Sequence, residues 1–500
     1  MALDTLETKR EPRKAFLVLF FIEVWERFGY YGMASVMVLY MIERLDFTDA
    51  KADIIWGAFS ALVYSMPMFG GYLGDRVLGA KRTMVLGAIT LGLGYVLLSI
   101  PIEGTFFPAM GLIALGTGLF KINPNNLVSR LYEGEHSKLD ILFTVYYISL
   151  QLGAFVSILL TPWIASHPTW MIDVGPLRFD SWHLAFGLSA IGLTLGLLSY
   201  GAFRHYVRPY GTQPDFQKID WPKLWLVIAV SLIIAYLLSE VIIYPQAALA
   251  VVGLLLALMI YVFAHLLLTS KSHERNRIVA CIIFTIMSSI WAIYNQQIYT
   301  SLTLFALRNV THSILDVAVQ PAQFQDLNQF WLAVLAVPLA WFYQRMGKTA
   351  NGDLSIASKY ALGLYMLALA FFIYAASSLT ANAGIVSSWW LVAGYAAQSL
   401  GELLISALGF SMVSQLVPER SRGIVMGAWF LGMGVTMYVG GAIASLASVP
   451  RGAIQAAATL PVYAELFLWL GVGALVVAIV ATAMIPLLKR LMVTGDADYA

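Results

Sequence analysis

Glu23, Glu26 and Arg27 stand three and four residues apart in an otherwise apolar stretch, with Tyr30 a turn further on. In a helix all four lie on one stripe. Two carboxylates within a turn of each other and of a guanidinium titrate as one coupled group, so a proton taken by one carboxylate frees the arginine for another anion. That is the chemistry a proton-coupled anion clamp requires. Lys121 adds a second cation within Gly116-Thr117-Gly118-Leu119-Phe120-Lys121-Ile122-Asn123-Pro124, whose glycines permit close helix approach. Glu402, in Gln398-Ser399-Leu400-Gly401-Glu402-Leu403-Leu404-Ile405-Ser406, suits an amino group. Cations on one wall and an anion on the other match a zwitterion.

The elements that must position these groups are membrane helices. The chain has 500 residues, of which 60% are hydrophobic and 12% charged, with a mean hydropathy of +0.77. These values lie outside the soluble range. Uncharged or nearly uncharged runs at 54–74, 84–102, 141–172, 278–307, 423–450 and 466–488 are each long enough to cross a bilayer. A transmembrane β-barrel would instead show short segments of alternating polarity. Breaks in hydropathy predict fourteen spans, near 16–42, 53–75, 83–101, 106–129, 140–166, 182–203, 223–240, 246–269, 277–303, 327–345, 358–378, 386–416, 423–447 and 463–488. Six, two and six helices make two bundles, 1–205 and 274–500, joined by a linker at 206–273 that carries an inserted scaffold pair. This layout belongs to transporters built from parallel repeats around a site near the midplane.

Charge outside the spans predicts orientation. The N-terminus, alternate loops and the C-terminus hold 23 of the 30 Lys and Arg, against five on the opposite side, so both termini are expected to be cytoplasmic. The first span carries three charges and no small-residue cleavage site, which predicts a retained helix rather than a signal peptide. A net charge of +2 without a basic tract offers no footprint for nucleic acid, and the lone Cys281 excludes an intrachain disulfide.

Away from the ends of the spans, the charges placed well inside the apolar runs are five: Glu23, Glu26, Arg27, Lys121 and Glu402. Each costs roughly 2.5–3.5 kcal/mol at mid-membrane unless paired or hydrated. A structural ion-pair network locking helices together is the plain reading of such a group. Buried pairs are, however, weak sources of net stability, which favours a functional role.

Glu23-Val24-Trp25-Glu26-Arg27-Phe28-Gly29-Tyr30-Tyr31-Gly32 resembles the ExxER signature of the proton-dependent oligopeptide transporters, a branch of the major facilitator superfamily. Gly70-Gly71-Tyr72-Leu73-Gly74-Asp75-Arg76-Val77-Leu78-Gly79-Ala80-Lys81-Arg82 is similar to the superfamily's loop between helices two and three. Residues 143–154, Asn328, Gly401-Glu402-Leu403-Leu404 and Trp429 look like further landmarks, so the resemblance covers nearly the whole chain. It implies an all-α polytopic membrane protein with the major facilitator fold and, as in bacterial members, two additional central helices. It also implies a symporter importing di- and tripeptides by alternating access. Proton coupling would fall to Glu23, Glu26, Arg27 and Lys121. Arg27 and Lys121 would meet the peptide C-terminus beside Tyr30, Tyr31, Tyr64 and Asn123, while Glu402 and Asn328 would receive its N-terminus near Ser406 and Trp429. Gln151 replaces the usual Asn and keeps an amide for the peptide backbone, and Gln296 is counted with the binding residues. Some relatives carry an acid near Asn295-Gln296-Gln297, where this chain has neutral amides, so no proton site is predicted there. Gln329 stands where the family has Pro.

Such a protein needs no cofactor beyond the proton gradient. Its partners would be peptides, protons and lipid, and it is expected to work as a monomer in the cytoplasmic, or inner, membrane. The alternative cargo is another small organic ion, such as nitrate or a drug-like compound, since the scaffold does not fix the substrate. A membrane enzyme lacks support, for there is no metal-spacing cluster, nucleophile elbow or phosphate loop, and a channel would need a repeated filter ring.

Overall fold

The apolar runs are helices in the computed structural model, which describes residues 11–102, 104–131, 136–348, 354–417, 419–450 and 455–493. Backbone alone is described at 136–145, 147–150, 272–273, 347, 406–415, 419–422 and 493. In hydrocarbon every backbone N–H and C=O must be satisfied within the segment, so continuous helix is the conformation open to these runs. Among the described residues ten helices are long and apolar enough to cross a membrane. Four more are long enough, at 32, 30, 22 and 28 residues: Pro12–Glu43, His136–Ala165, Asp326–Gly347 and Trp389–Leu416. The fourteen predicted spans are therefore present.

In chain order they are α1 (Pro12–Glu43), α2 (Asp49–Val77), α3 (Ala80–Ser99), α4 (Phe106–Ser129), α5 (His136–Ala165), α6 (Ser181–Val207) and α7 (Trp221–Ile243). There follow α8 (Pro245–Thr269), α9 (Glu274–Asn309), α10 (Asp326–Gly347), α11 (Ile356–Thr380), α12 (Trp389–Leu416), α13 (Gly423–Ala447) and α14 (Ala456–Met492). Two small antiparallel hairpins, which hydropathy does not reveal, lie after α5 and α9. Ile172–Val174 pairs with Leu177–Phe179, and Ser313–Ile314 with Val317–Ala318.

The chain forms two compact units, Met1–Met37 with Leu62–Ala248, and Val38–Ala61 with Leu249–Ala500. In the first, glycine lets backbones touch, since lipid supplies no hydrophobic drive for helix association and close packing has to supply it. A Cβ on Gly87 of α3 would stand 2.6 Å from Phe120 N of α4, and one on Gly70 of α2 would collide with Gly118 O. The α4 turn that bears Lys121 is thus held between α2 and α3. Just beyond it the helix breaks at Ile122, ahead of Pro124. The linker after α6 folds back on the α2–α3 connection: Thr212 Oγ1 donates to Gly74 O at 2.7 Å, and Asp215 accepts from Lys81 N at 3.2 Å, meeting one of the N–H groups that begin α3. Gly79 sits there at φ +100°, a conformation a side chain resists.

In the second unit a Cβ on Gly401 of α12 would lie 2.8 Å from Gly363 O of α11. That close approach fixes the height of the neighbouring Glu402. Helix α9 breaks between Gln296 and Ser301. The amides noted in the sequence cover the break: Gln297 Nε2 donates to Ile293 O at 3.1 Å and to Gly440 O at 3.0 Å, while its Oε1 accepts from Ser301 Oγ at 2.7 Å. Helix α10 runs unbroken through Gln329, and its internal proline is Pro338.

Candidate functional site

Helix α1 carries its charges where helical spacing requires, and they meet. Glu23 Oε1 accepts from Arg27 Nε at 3.1 Å and from Nη2 at 2.9 Å, while Glu26 Oε2 lies 3.3 Å from Nε. All three are buried, with exposures of 1%, 0% and 7%. One guanidinium thus answers two carboxylates, and Glu23 takes both of its hydrogen bonds. Among the described residues neither oxygen of Glu26 accepts one. The group carries one net negative charge when both acids are ionised, and neutralising Glu26 costs no hydrogen bond.

Lys121 is close enough to interact electrostatically with Glu23, Glu26 and Arg27, and its ammonium stands 4.2 Å from the centre of the Tyr64 ring. Tyr31 and Tyr146 interact with Arg27, and Tyr146 also with Glu23. The rings of Tyr30 and Tyr31 meet edge to face at 5.5 Å. Helix α5 reaches this group through Gly153, where a Cβ would stand 2.9 Å from Arg27 Cβ. Gln151, two residues earlier, is partly buried. Asn123 is wholly buried, donating to Leu119 O at 2.7 Å and Gly70 O at 3.4 Å. It ties the α4 break to α2 and shows no exposed surface. The structure therefore assembles Glu23, Glu26, Arg27, Tyr31, Tyr64 and Lys121 into one group and sets Asn123 into the joint beneath it.

The second unit holds the other candidates. Asn328 Nδ2 donates to Glu402 Oε2 at 3.0 Å and to Ser399 Oγ at 3.1 Å. Gln296 is buried and donates to Ser60 Oγ at 3.1 Å, a helix contact rather than an open surface. Trp429 is buried, 5.1 Å from the ring of Phe430. The side chain of Ser406 lies outside the described residues.

Helix ends hold charges that the hydropathy reading placed in loops. Arg308 grips Asp49 with two hydrogen bonds, Nη1 to Oδ2 at 2.6 Å and Nη2 to Oδ1 at 2.8 Å, and Nη1 also donates to Tyr463 Oη at 2.7 Å. Removing one member of such a pair strands the other. Arg308→Gln is expected to lower unfolding stability by about 2–4 kcal/mol, and adding Asp49→Asn should restore part of it. Thermal unfolding of the single and double variants in detergent checks this, and strictly additive losses would contradict it. Asp326, just outside the span predicted near 327–345, is likewise buried at the start of α10. Among the described residues no group of three or more His, Cys, Asp or Glu is arranged to hold a metal ion.

A family model described as the POT family matches residues 81–460. Dipeptide and tripeptide permease A of Escherichia coli (strain K12) is 38% identical over 503 residues, covering 99% of this chain and 96% of the permease. Dipeptide and tripeptide permease B of Photorhabdus luminescens is 37% identical over 483 residues, covering 96% and 97%. Among solved structures, a bacterial homologue of the human drug peptide transporters PepT1 and PepT2 superposes with a TM-score of 0.86 at 38% identity, covering 96% of this chain and 100% of that one. A peptide transporter POT in complex with sulfate gives 0.81 at 28% identity, covering 96% of each.

Proposed function

We propose, since this chain belongs to the POT family, that it is a proton-coupled symporter importing di- and tripeptides by alternating access. It is a multi-pass membrane transporter and not an enzyme. The observation that carries the proton-coupled reading is the buried group on α1, in which two carboxylates claim one guanidinium and Glu26 does so without a hydrogen bond. A proton on Glu26 leaves Arg27 with one carboxylate to answer and free to take part of a peptide carboxylate, helped by Lys121. Peptide and proton then favour one another's binding, as symport requires. Tyr30, Tyr31, Tyr64 and Asn123 line the carboxylate end, Gln151 offers its amide to the peptide backbone, and Gln296 is a further binding residue. At the amino end Glu402 is the acceptor, oriented by Asn328, with Ser406 and Trp429 beside it. The energy source is the proton gradient.

The same reading places the chain in the inner membrane as a working monomer with both termini cytoplasmic. Residues 1–205 and 274–500 act as the two bundles, and 206–273 as an inserted linker.

The amino-end assignment has a direct test. Glu402→Ala should weaken dipeptide binding by about tenfold or more, the worth of one charge-assisted hydrogen bond, and leave an N-acetylated dipeptide unaffected. Competition against a labelled dipeptide measures both. Unaltered dipeptide affinity would point to a small organic anion as the cargo instead.

A further inference from the structure

Asp326 opens α10 with its side chain buried, 5% exposed, and among the described residues neither carboxylate oxygen accepts a hydrogen bond. An acid in the first turn of a helix usually caps it or answers the helix dipole. Here the turn Pro321–Gln325 runs straight into α10, and the N–H of Asp326 is already bonded back to Gln323 O and Phe324 O. The cap is thus supplied without the carboxylate. No charged group among the described residues interacts electrostatically with it. The titratable groups on the elements around it are engaged elsewhere: Glu402 of α12 accepts from Asn328, and Arg308 of α9 is held by Asp49 and Tyr463. One turn on, the Oε1 of buried Gln329 also lacks a donor. An ionised acid adds two more acceptors to a place that already has one too many, whereas the neutral acid brings an O–H to give.

We propose that Asp326 is a second proton carrier of the transport cycle, holding a proton in the conformation described and releasing it when the Gln325–Thr303 and Asn328–Glu402 contacts on either side of it open. Gln325 Nε2 donates to Thr303 Oγ1 at 2.8 Å, so the residue before Asp326 is tied to α9, while Asn328, two residues after it, is tied to α12. Any shift of α10 against either neighbour changes the surroundings of the carboxyl group. On release the O–H bond breaks with its electron pair left on the carboxylate, and the proton passes to water. Reprotonation from water reverses the step. The position complements α9, where Asn295, Gln296 and Gln297 offer no acid. The inference rests on the symporter reading above.

The test uses the full chain in proteoliposomes with labelled dialanine. Asp326→Asn keeps the shape and is permanently neutral. It is expected to leave counterflow exchange, which needs no net proton movement, within about twofold of wild type and to cut gradient-driven uptake about tenfold. The proton-to-peptide ratio from reversal potentials should fall by about one, because one carrier is lost. Asp326→Glu should keep driven uptake with a displaced pH profile. Asp326→Asn driving uptake at the wild-type ratio would overturn the proposal. So would parallel loss of exchange and drive in both variants, or an unmoved pH profile in Asp326→Glu. A wild-type protein indifferent to the gradient would instead overturn the symporter reading.

Discussion

Arg27→Met should abolish dipeptide uptake, a loss of about a hundredfold or more, because it removes the group that both carboxylates and the incoming peptide need. The methionine retains most of the buried stem, so packing against α5 at Gly153 changes little. What changes is charge: Glu23 loses its two hydrogen bonds from Arg27, and Glu26 its ion pair with Arg27. The site then lacks the guanidinium that draws in a peptide carboxylate and that exchanges partners when a proton arrives. Arg27→Lys should recover little, since one ammonium cannot reproduce the paired contact of Nε and Nη2 with Glu23. Uptake and equilibrium binding of a labelled dipeptide measure the effect, and binding within threefold of wild type in Arg27→Met would refute it.

Glu26→Gln separates exchange from accumulation. Among the described residues its side chain makes no hydrogen bond that the amide would forfeit, and the loss of its charge mimics the protonated state. Arg27 stays bound to Glu23, so peptide binding and counterflow should persist within about threefold. Accumulation against a gradient should fall by about fiftyfold or more, since the group that takes the driving proton is gone. Glu23→Gln is expected to harm both, because Glu23 alone orients the guanidinium. Equal loss of exchange and accumulation in Glu26→Gln would mean that the acid is structural.

The α1 group was legible in the sequence because helical spacing and the cost of a charge in lipid both act on sequence alone. Glu23, Glu26 and Arg27 had to meet or be hydrated, and they meet. Asp49, Arg308 and Asp326 were not legible, since a charge at the edge of an apolar run looks the same whether it faces water or folds back into protein. Only the partner, Arg308 for Asp49 or none among the described residues for Asp326, tells the two apart, and partners from distant segments leave no local pattern. Asn123 and Gln296 carry a packing role that spacing does not reveal. A polar residue beside a motif reads as a binding group, yet in lipid a helix break or crossing consumes such amides first, as Gly70 O and Ser60 do here. The linker clamp of Thr212 and Asp215 on the α2–α3 connection leaves no sequence pattern, because capping across 130 residues and more is a tertiary event.

The most direct test of the central claim is accumulation of a labelled dipeptide by the reconstituted wild-type protein with an inward proton gradient, with and without a protonophore. The account predicts an internal concentration above the external one that collapses to equality when the protonophore is added. Accumulation that persists after the gradient is gone would contradict it.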